Sequence, residues 1–212
     1  MCSTHARLLS ALVSAVLFAV NAAAHAQVVE STSRLAIERI AVGTCASCHG
    51  WRGYSSAPQF PVLAGQNASY LLEQLQAFKS HARGDADAVG FMWGMAAPLD
   101  TDVMAALASY YSHQTPHAGA RGDPHFISRG RQIYQNGDAA EAVPPCAACH
   151  GPLAAGTDKY PRLAGQHVQY LLKQLRSFQN NLRDVAIMHG VAQGLKVDDM
   201  RAVSTYLQSL DP

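Results

Sequence analysis

Residues 45–49 of the chain read Cys-Ala-Ser-Cys-His, and residues 146–150 repeat the arrangement as Cys-Ala-Ala-Cys-His. Two cysteines separated by two residues can each form a thioether bond to a haem vinyl group, and the histidine that follows can bind the iron. The motif therefore predicts two c-type haem attachment sites. The predicted cofactor-binding residues are the cysteines of both motifs: Cys45, Cys48, Cys146 and Cys149. The predicted iron-binding histidines are His49 and His150.

Other chemistry is open to a C-x-x-C pair, which also occurs in zinc sites and in thioredoxin-like redox centres. Here the pair occurs twice, each time with its own histidine and in a matching sequence context. A zinc site built from both pairs would need ligands much closer together in the chain than these are. The pattern therefore favours haem.

The N-terminal segment, residues 1–26, has the features of a secretory signal peptide. His5 and Arg7 precede an apolar run over residues 8–20, and residues 24–26 (Ala-His-Ala) match an A-x-A cleavage site. The apolar run is shorter than the roughly 20 residues of a membrane-spanning helix, so an uncleaved anchor is the less favoured alternative. We expect a soluble, exported protein of the bacterial periplasm.

Removal of residues 1–26 also takes away Cys2, so every remaining cysteine belongs to a haem motif and none is left for a structural disulfide. The whole chain has 16 basic and 15 acidic residues, and of these only Arg7 is lost with the signal peptide. A protein so close to neutral lacks the basic surface on which nucleic-acid binding depends. Nucleic acid is therefore not an expected partner.

The haem motifs lie in two copies of one sequence. Residues 63–78 read LAGQNASYLLEQLQAF and residues 163–178 read LAGQHVQYLLKQLRSF, with ten of sixteen positions identical. A repeat this long predicts duplicated domains rather than a solenoid. The expected organisation is a signal peptide at 1–26, a first domain at 27–114, a linker rich in Pro, Gly, Ala and His at 115–124, and a second domain at 125–212.

Apolar residues recur at helical spacing in both copies. The clearest sets lie in the shared stretch: Leu71, Leu72, Leu75 and Phe78 in the first copy, and Leu171, Leu172, Leu175 and Phe178 in the second. A last helix is expected to begin near Asp100 or Thr101, which suit an N-cap position. No alternating apolar pattern of strand length is present, so the sequence predicts an all-α fold.

Each iron needs a second axial ligand, for which the repeat supplies candidates. When the last helices of the copies are aligned, Met92 falls opposite Met188, whereas Met95 falls opposite a valine. Met104 and Met200 also match, but they lie on the apolar face of the last helix and are interpreted as core residues. Because His/Met ligation is known in c-type cytochromes, Met92 and Met188 are the predicted ligands and Met95 is an alternative.

Histidine is the other residue type that could complete the coordination of either iron. The candidates are His81, His113 and His189. His189 has Trp93 as its counterpart in the first copy, so we interpret it as a surface residue rather than a ligand.

Together these features resemble the class I c-type cytochromes, in particular the dihaem cytochrome c4 group of the bacterial periplasm. The resemblance covers essentially the whole mature chain, through both C-x-x-C-H-G motifs, the P-V-L-A-G-Q and P-R-L-A-G-Q stretches and the two downstream methionines. It implies two tandem class I cytochrome c-like domains with two covalently bound haem c groups. It also implies that the carbonyls of Pro61 and Pro161 accept a hydrogen bond from Nδ1 of His49 and His150, respectively.

The implied function is electron transfer without catalysis, since an iron closed by histidine and methionine has no open position for a substrate. The expected partners are redox proteins, namely an electron donor and an acceptor such as a terminal oxidase, with peripheral membrane association through those partners. Two alternatives remain. One is a catalytic dihaem protein, such as a peroxidase or the haem subunit of a sulfur-oxidising dehydrogenase. The other is a cytochrome subunit of a larger dehydrogenase.

The copies differ in two loops. The first copy has extra residues within 83–88, ahead of its predicted methionine ligand, and the second has a longer segment over 135–145, ahead of its cysteines. These loops are expected to surround the two haems differently, which predicts unequal reduction potentials.

Overall fold

The computed structural model describes residues 34–211, and the predicted signal peptide at 1–26 lies outside them. The described part of the chain is helical and forms no β-strand; its extended pairing is limited to isolated bridges between Arg83 and Arg183 and between Asp138 and Val143. The all-α prediction is confirmed. No helix within residues 34–211 combines the length and the apolar character needed to cross a bilayer.

Within residues 41–112, the first domain contains two long α-helices and two short ones. Residues 34–40 are helical. The helices that follow are α1 (Ala46–His49), α2 (Ala68–Lys79), α3 (Trp93–Ala96) and α4 (Thr101–Ser112). Two π-helical turns, Ala41–Cys45 and Ala88–Met92, run directly into α1 and α3, and a 3-10 turn, Trp51–Gly53, follows α1. The α1 helix thus carries the first haem motif.

The second domain has five helices within the described residues. They are α5 (Pro124–Asn136), α6 (Ala147–His150), α7 (Val168–Gln179), α8 (Ala186–Gln193) and α9 (Val197–Gln208), with a 3-10 turn at Ala139–Glu141. Helix α5 begins on the last residue of the predicted linker, because the side chain of Asp123 accepts a hydrogen bond from the amide of His125 and proline suits the first helical turn.

The sequence signals for the long helices agree with the structure. Asp100 is the N-cap of α4, and its carboxylate accepts a hydrogen bond of 2.8 Å from the amide of Val103. Leu71 and Phe78 of α2 are buried, as are Leu171 and Phe178 of α7.

The core of the second domain depends on a close approach of α5 and α9. At Gly130, an added Cβ would lie 2.1 Å from the carbonyl oxygen of Ala202, so only a residue without a side chain allows this crossing. Met200 of α9 is fully buried beside the crossing and Met104 of α4 is equally inaccessible in the first domain. The interpretation of both methionines as core residues is confirmed.

The two domains meet through side chains of α2 and α7 and the loops that follow them. Gln74 of α2 accepts hydrogen bonds from the guanidinium groups of Arg83 and Arg183, at 2.9 and 2.7 Å. Gln174 of α7 accepts from the same two arginines at 2.8 and 3.0 Å. Each glutamine therefore binds one arginine of its own domain and one of the other.

Candidate haem-binding sites

The four cysteines of the haem motifs form no disulfide with one another and are partly exposed. Burial raises the pKa of Cys45, and it raises the pKa of Cys146 to about 11. Both thiols are therefore protonated near neutral pH. Reduced cysteines at the two ends of a C-x-x-C pair are the groups that thioether attachment to haem consumes.

The histidines of the motifs are almost fully buried, with 8% of His49 and 7% of His150 exposed. Nδ1 of His49 lies 3.0 Å from the carbonyl oxygen of Pro61, and Nδ1 of His150 lies 3.1 Å from that of Pro161. Because a carbonyl can only accept, Nδ1 carries the proton and Nε2 keeps a free lone pair for a metal. These two expected hydrogen bonds are confirmed. Burial also lowers the pKa of both imidazoles, which keeps them neutral.

A tight loop carries the chain from each histidine to its proline. The carbonyl of Gly53 accepts hydrogen bonds from the amides of Leu63 and the residue after it, at 2.9 and 3.3 Å. In the second domain the carbonyl of Ala154 does the same for Leu163 and its successor, at 2.8 and 3.0 Å. Gly53 and Ala154 both have positive φ values, of 81° and 56°. These paired bonds close the loop and hold the proline opposite the histidine.

The predicted methionine ligands are both half-buried. Met92 packs with Trp93 against a small apolar cluster that includes Phe78. Met188 lies on α8. The alternative ligand Met95 is 51% exposed.

Aromatic contacts connect the methionine segment of the first domain with its histidine. The ring of His49 meets the edge of Phe60 at a centroid distance of 6.4 Å, and Phe60 meets Phe91, the residue before Met92, at 5.9 Å. In the second domain His150 contacts Tyr160 at 5.9 Å. In the first domain, Phe60 thus links the ring of His49 to Phe91, the residue that precedes the predicted ligand Met92.

Each histidine considered as an alternative ligand makes a contact of its own in the structure. His81 stacks on Trp93 at 3.9 Å, and His113 lies 2.7 Å from a backbone carbonyl of α4. His189 is half-buried, and its Nδ1 lies 2.8 Å from the carbonyl oxygen of Phe178. The interpretation of His189 as a surface residue is therefore wrong. Like Trp93 at the matching position, it is held by a ring nitrogen on a backbone carbonyl.

No three His, Cys, Asp or Glu side chains within residues 34–211 come together as a metal site would require. The two cysteine pairs are thus not combined into one zinc centre. The residue types present in each domain fit haem iron: a pair of cysteines, a neutral histidine with a free Nε2 and a predicted methionine that is half-buried.

A family model for cytochrome c matches the chain twice, over residues 36–114 and 127–211. This chain belongs to the cytochrome c family. Cytochrome c4 from Azotobacter vinelandii is 40% identical to this cytochrome over 177 residues, which cover 78% of this chain and 84% of the relative. The structure of Acidithiobacillus ferrooxidans cytochrome c4 matches it with a TM-score of 0.75 at 37% identity, covering 78% of this chain and 98% of that chain.

This cytochrome is also similar to the thiosulfate dehydrogenase electron acceptor of Thiomonas intermedia, at 34% identity over 178 residues and 80% coverage of each chain. The predicted family, the fold of two tandem cytochrome c domains and the covalently bound haem c cofactor are confirmed. Proteins of the cytochrome c4 group transfer electrons, and this cytochrome belongs among them.

Two buried glutamines, one after each haem motif, were not among the predicted site residues. Gln66 and Gln166 are each 6% exposed, and each reaches from its own domain into the other. The sequence contains one signal that could have identified them: both L-A-G-Q stretches end in the same polar residue. Periodicity alone gives such a residue no role, because it precedes the helix and lies outside any apolar face.

Proposed function

We propose that this cytochrome is an exported electron carrier of the bacterial periplasm, which takes electrons from one redox protein and passes them to a respiratory acceptor such as a terminal oxidase. The observation that carries the proposal is the matched pair of buried histidines, each donating from Nδ1 to a proline carbonyl and leaving Nε2 free. Bound haem iron supplies a one-electron change between its ferrous and ferric states.

Each domain supplies its own set of residues for one haem. In the first domain, Cys45 and Cys48 would attach the haem covalently, and His49 and Met92 would bind its iron. In the second domain, Cys146 and Cys149 would attach the haem, and His150 and Met188 would bind its iron.

The choice of methionines is supported by their burial. An axial thioether must lie inside the domain, as the half-buried Met92 and Met188 do, whereas Met95 is mostly exposed. Met104 and Met200 are buried in the helical cores, and Met200 belongs to an apolar cluster with Ile133 and Leu195. Two protein ligands on each iron leave no coordination position for a substrate, so we expect no turnover of a small molecule.

A second candidate is the electron acceptor of a thiosulfate-oxidising dehydrogenase, which is still an electron-transfer role. It is favoured by the similarity to the Thiomonas intermedia protein of that name. The two candidates differ in the partner. Size-exclusion chromatography of the native extract separates a free carrier from a subunit of a larger complex.

The haem assignments are tested by mass spectrometry of the periplasmic fraction. We expect a polypeptide that begins near Gln27 and carries two haem masses. The double variant Cys45→Ala/Cys48→Ala should keep one haem, and so should Cys146→Ala/Cys149→Ala. A wild-type product without haem, or with zinc in its place, contradicts the proposal.

The absence of catalysis is tested by steady-state assays with hydrogen peroxide and with thiosulfate, on the oxidised and the half-reduced protein. We expect rapid electron exchange with redox proteins and no consumption of either compound. Substrate-dependent turnover on the order of 1 per second or more would instead indicate an enzyme.

A further inference from the structure

The side-chain amides of Gln66 and Gln166 bind backbone of the opposite domain in two equivalent ways. Oε1 of Gln166 accepts a hydrogen bond of 2.9 Å from the amide of Val62, and its Nε2 donates to the carbonyl of Val62, also at 2.9 Å. Oε1 of Gln66 accepts from the amide of Arg162 at 2.8 Å, and its Nε2 donates to the carbonyl of Arg162 at 2.9 Å. Each glutamine satisfies both the N–H and the C=O of the residue that it binds, and only one orientation of its side-chain amide allows this.

Val62 and Arg162, which these glutamines bind, directly follow Pro61 and Pro161. The carbonyls of the two prolines accept the hydrogen bonds from the histidines of the haem motifs. The amide of Val62 and the carbonyl of Pro61 belong to one planar peptide group, and that carbonyl accepts from Nδ1 of His49 at 3.0 Å. A continuous chain of hydrogen bonds therefore runs from His49 through this peptide to Gln166 of the second domain.

The equivalent chain runs in the other direction. Nδ1 of His150 donates to the carbonyl of Pro161, and the amide of Arg162 in the same peptide group donates to Gln66 of the first domain. Both glutamines are buried, so water does not compete freely for these backbone groups.

We propose that Gln66 and Gln166 are positioning residues that tune the haem of the opposite domain, each by polarising the proline peptide that accepts the histidine's hydrogen bond. This inference rests on the proposed function, in which His49 and His150 bind iron. Through these bonds, the docking of the domains contributes to the reduction potential of each haem.

The direction of the effect follows from hydrogen-bond cooperativity. When a glutamine accepts from the peptide N–H, the carbonyl of that peptide becomes a stronger acceptor. A stronger acceptor at Nδ1 makes the imidazole a more basic ligand, which stabilises ferric iron. Loss of the glutamine should therefore raise the potential of the haem across the interface.

The test uses the full-length dihaem protein and the variants Gln166→Leu and Gln66→Leu, in which leucine keeps volume and excludes water while removing the hydrogen bonds. Paramagnetic NMR signals of each haem, followed through a redox titration, report the two potentials separately. We expect Gln166→Leu to raise the potential of the first haem alone and Gln66→Leu to raise that of the second alone. Exchange of the corresponding histidine Nδ1 proton with solvent should become faster in each variant.

A matched control is Ser69→Ala. Oγ of Ser69 donates across the interface to the carbonyl of Asp158 at 2.8 Å, so this variant loses a cross-domain hydrogen bond without touching a proline peptide. Both potentials should stay unchanged. If a leucine variant does not fold, Gln166→Ala and Gln66→Ala serve in its place, with the same expected pattern.

Three results overturn the inference: a shift confined to the haem of the substituted residue's own domain, no shift in any glutamine variant, or an equal shift in Ser69→Ala. The proposed function fails in a different way. In that case, wild-type protein lacks the spectrum of histidine-ligated haem before any variant is made.

Discussion

The backbone segments that lead to the predicted methionine ligands differ between the two domains. In the first domain a π-helical turn of 5 residues, Ala88–Met92, ends at the predicted ligand, whereas Met188 of the second domain lies inside the regular helix α8. A π-helical turn closes over a longer stretch than an α-helical turn and often occurs at functional sites. The two predicted ligands thus follow segments of different length and helical geometry, and the longer segment of the first copy contains the π-helical turn.

The domains also differ in whether the buried arginine at their interface has a carboxylate partner. Arg83 forms a buried ion pair with Asp85, with 2.7 Å between Nε and Oδ2. The second domain has Val185 in the corresponding segment, and within residues 34–211 no carboxylate lies in ion-pair distance of Arg183. Arg183 is instead surrounded by neutral acceptors, among them the hydroxyl of Tyr70 at 2.7 Å.

Among the substitutions that test this difference between the domains, replacement of a predicted methionine ligand should have the largest effect. Met92→Ala and Met188→Ala each open one iron and lower its potential, because a thioether favours ferrous iron more than water does. We expect a fall that is a sizeable fraction of the roughly 0.8 V over which axial ligands set haem potentials. A redox titration, together with the optical band of sulfur-ligated ferric haem, measures the effect in each domain.

Met95→Ala is the matched control for the first domain and should leave the band and both potentials unchanged. If Met92→Ala has no effect while Met95→Ala removes the band, the assignment in the first domain is wrong. The difference between the domains would then extend to the ligand itself.

Removal of Asp85 should have the next largest effect, because it leaves Arg83 buried without a counter-charge. Breaking a buried ion pair from one side costs about 3–5 kcal/mol. Asp85→Ala should therefore lower the free energy of unfolding of the holoprotein by that amount in urea titrations. Val185→Ala, at a partly exposed position of the second domain, should change it by much less. Equal losses in both variants would mean that the ion pair does not distinguish the domains.

Much of the fold was predictable because its signals are local. The apolar spacing of α2 and α7 and the N-cap Asp100 depend on residues within a few positions of each other. The histidine–proline bonds were predictable from a family resemblance. Their spacing in the two copies differs by one residue, and the structure accommodates this in the loop after each histidine.

The interface was not predictable from these signals. The contacts of Gln66 with Arg162, and of Arg83 with Gln174, join residues far apart in the chain. Helical periodicity describes only which residues share a face of one helix, and so it cannot indicate what that face meets. The left-handed conformation of Ala154 was not predictable for a similar reason. Alanine adopts this conformation here only because the surrounding loop requires it.

Gly130→Ala should have a smaller effect, confined to the second domain. The new methyl group would collide with the backbone of Ala202 and force α5 and α9 apart. Overpacking of this kind typically costs about 1–3 kcal/mol. Calorimetry of the holoprotein should show a lower unfolding temperature for the second domain. Gln132→Ala, at an exposed position of α5, is the control. Because alanine has the higher helix propensity, no loss is expected there, and an equal loss in that variant would mean that the collision with Ala202 is not the cause.

The smallest effect is expected at a partly exposed ion-pair network of the second domain. Arg129 donates to Asp138 at 2.8 Å and to Asp199 at 2.9 Å, and the hydrogen bond from Arg129 lowers the pKa of Asp138. A carboxyl group whose pKa is lower in the folded state stabilises the protein above its unfolded pKa of about 3.9, and this contribution is lost as the pH falls through the folded value.

Asp138→Asn should therefore lower the urea midpoint slightly at pH 7 and leave it equal to that of the wild type at a pH below both pKa values. The asparagine oxygen can still accept the hydrogen bond from the amide of Ala140, so the variant removes the charge and keeps the turn. Salt should reduce the difference at pH 7, since the pair is open to solvent. Asp158→Asn, at an exposed site outside the ion pairs of residues 34–211, is the control. A difference that persists in acid, or that the control shares, would mean that Asp138 stabilises the second domain through something other than its charge.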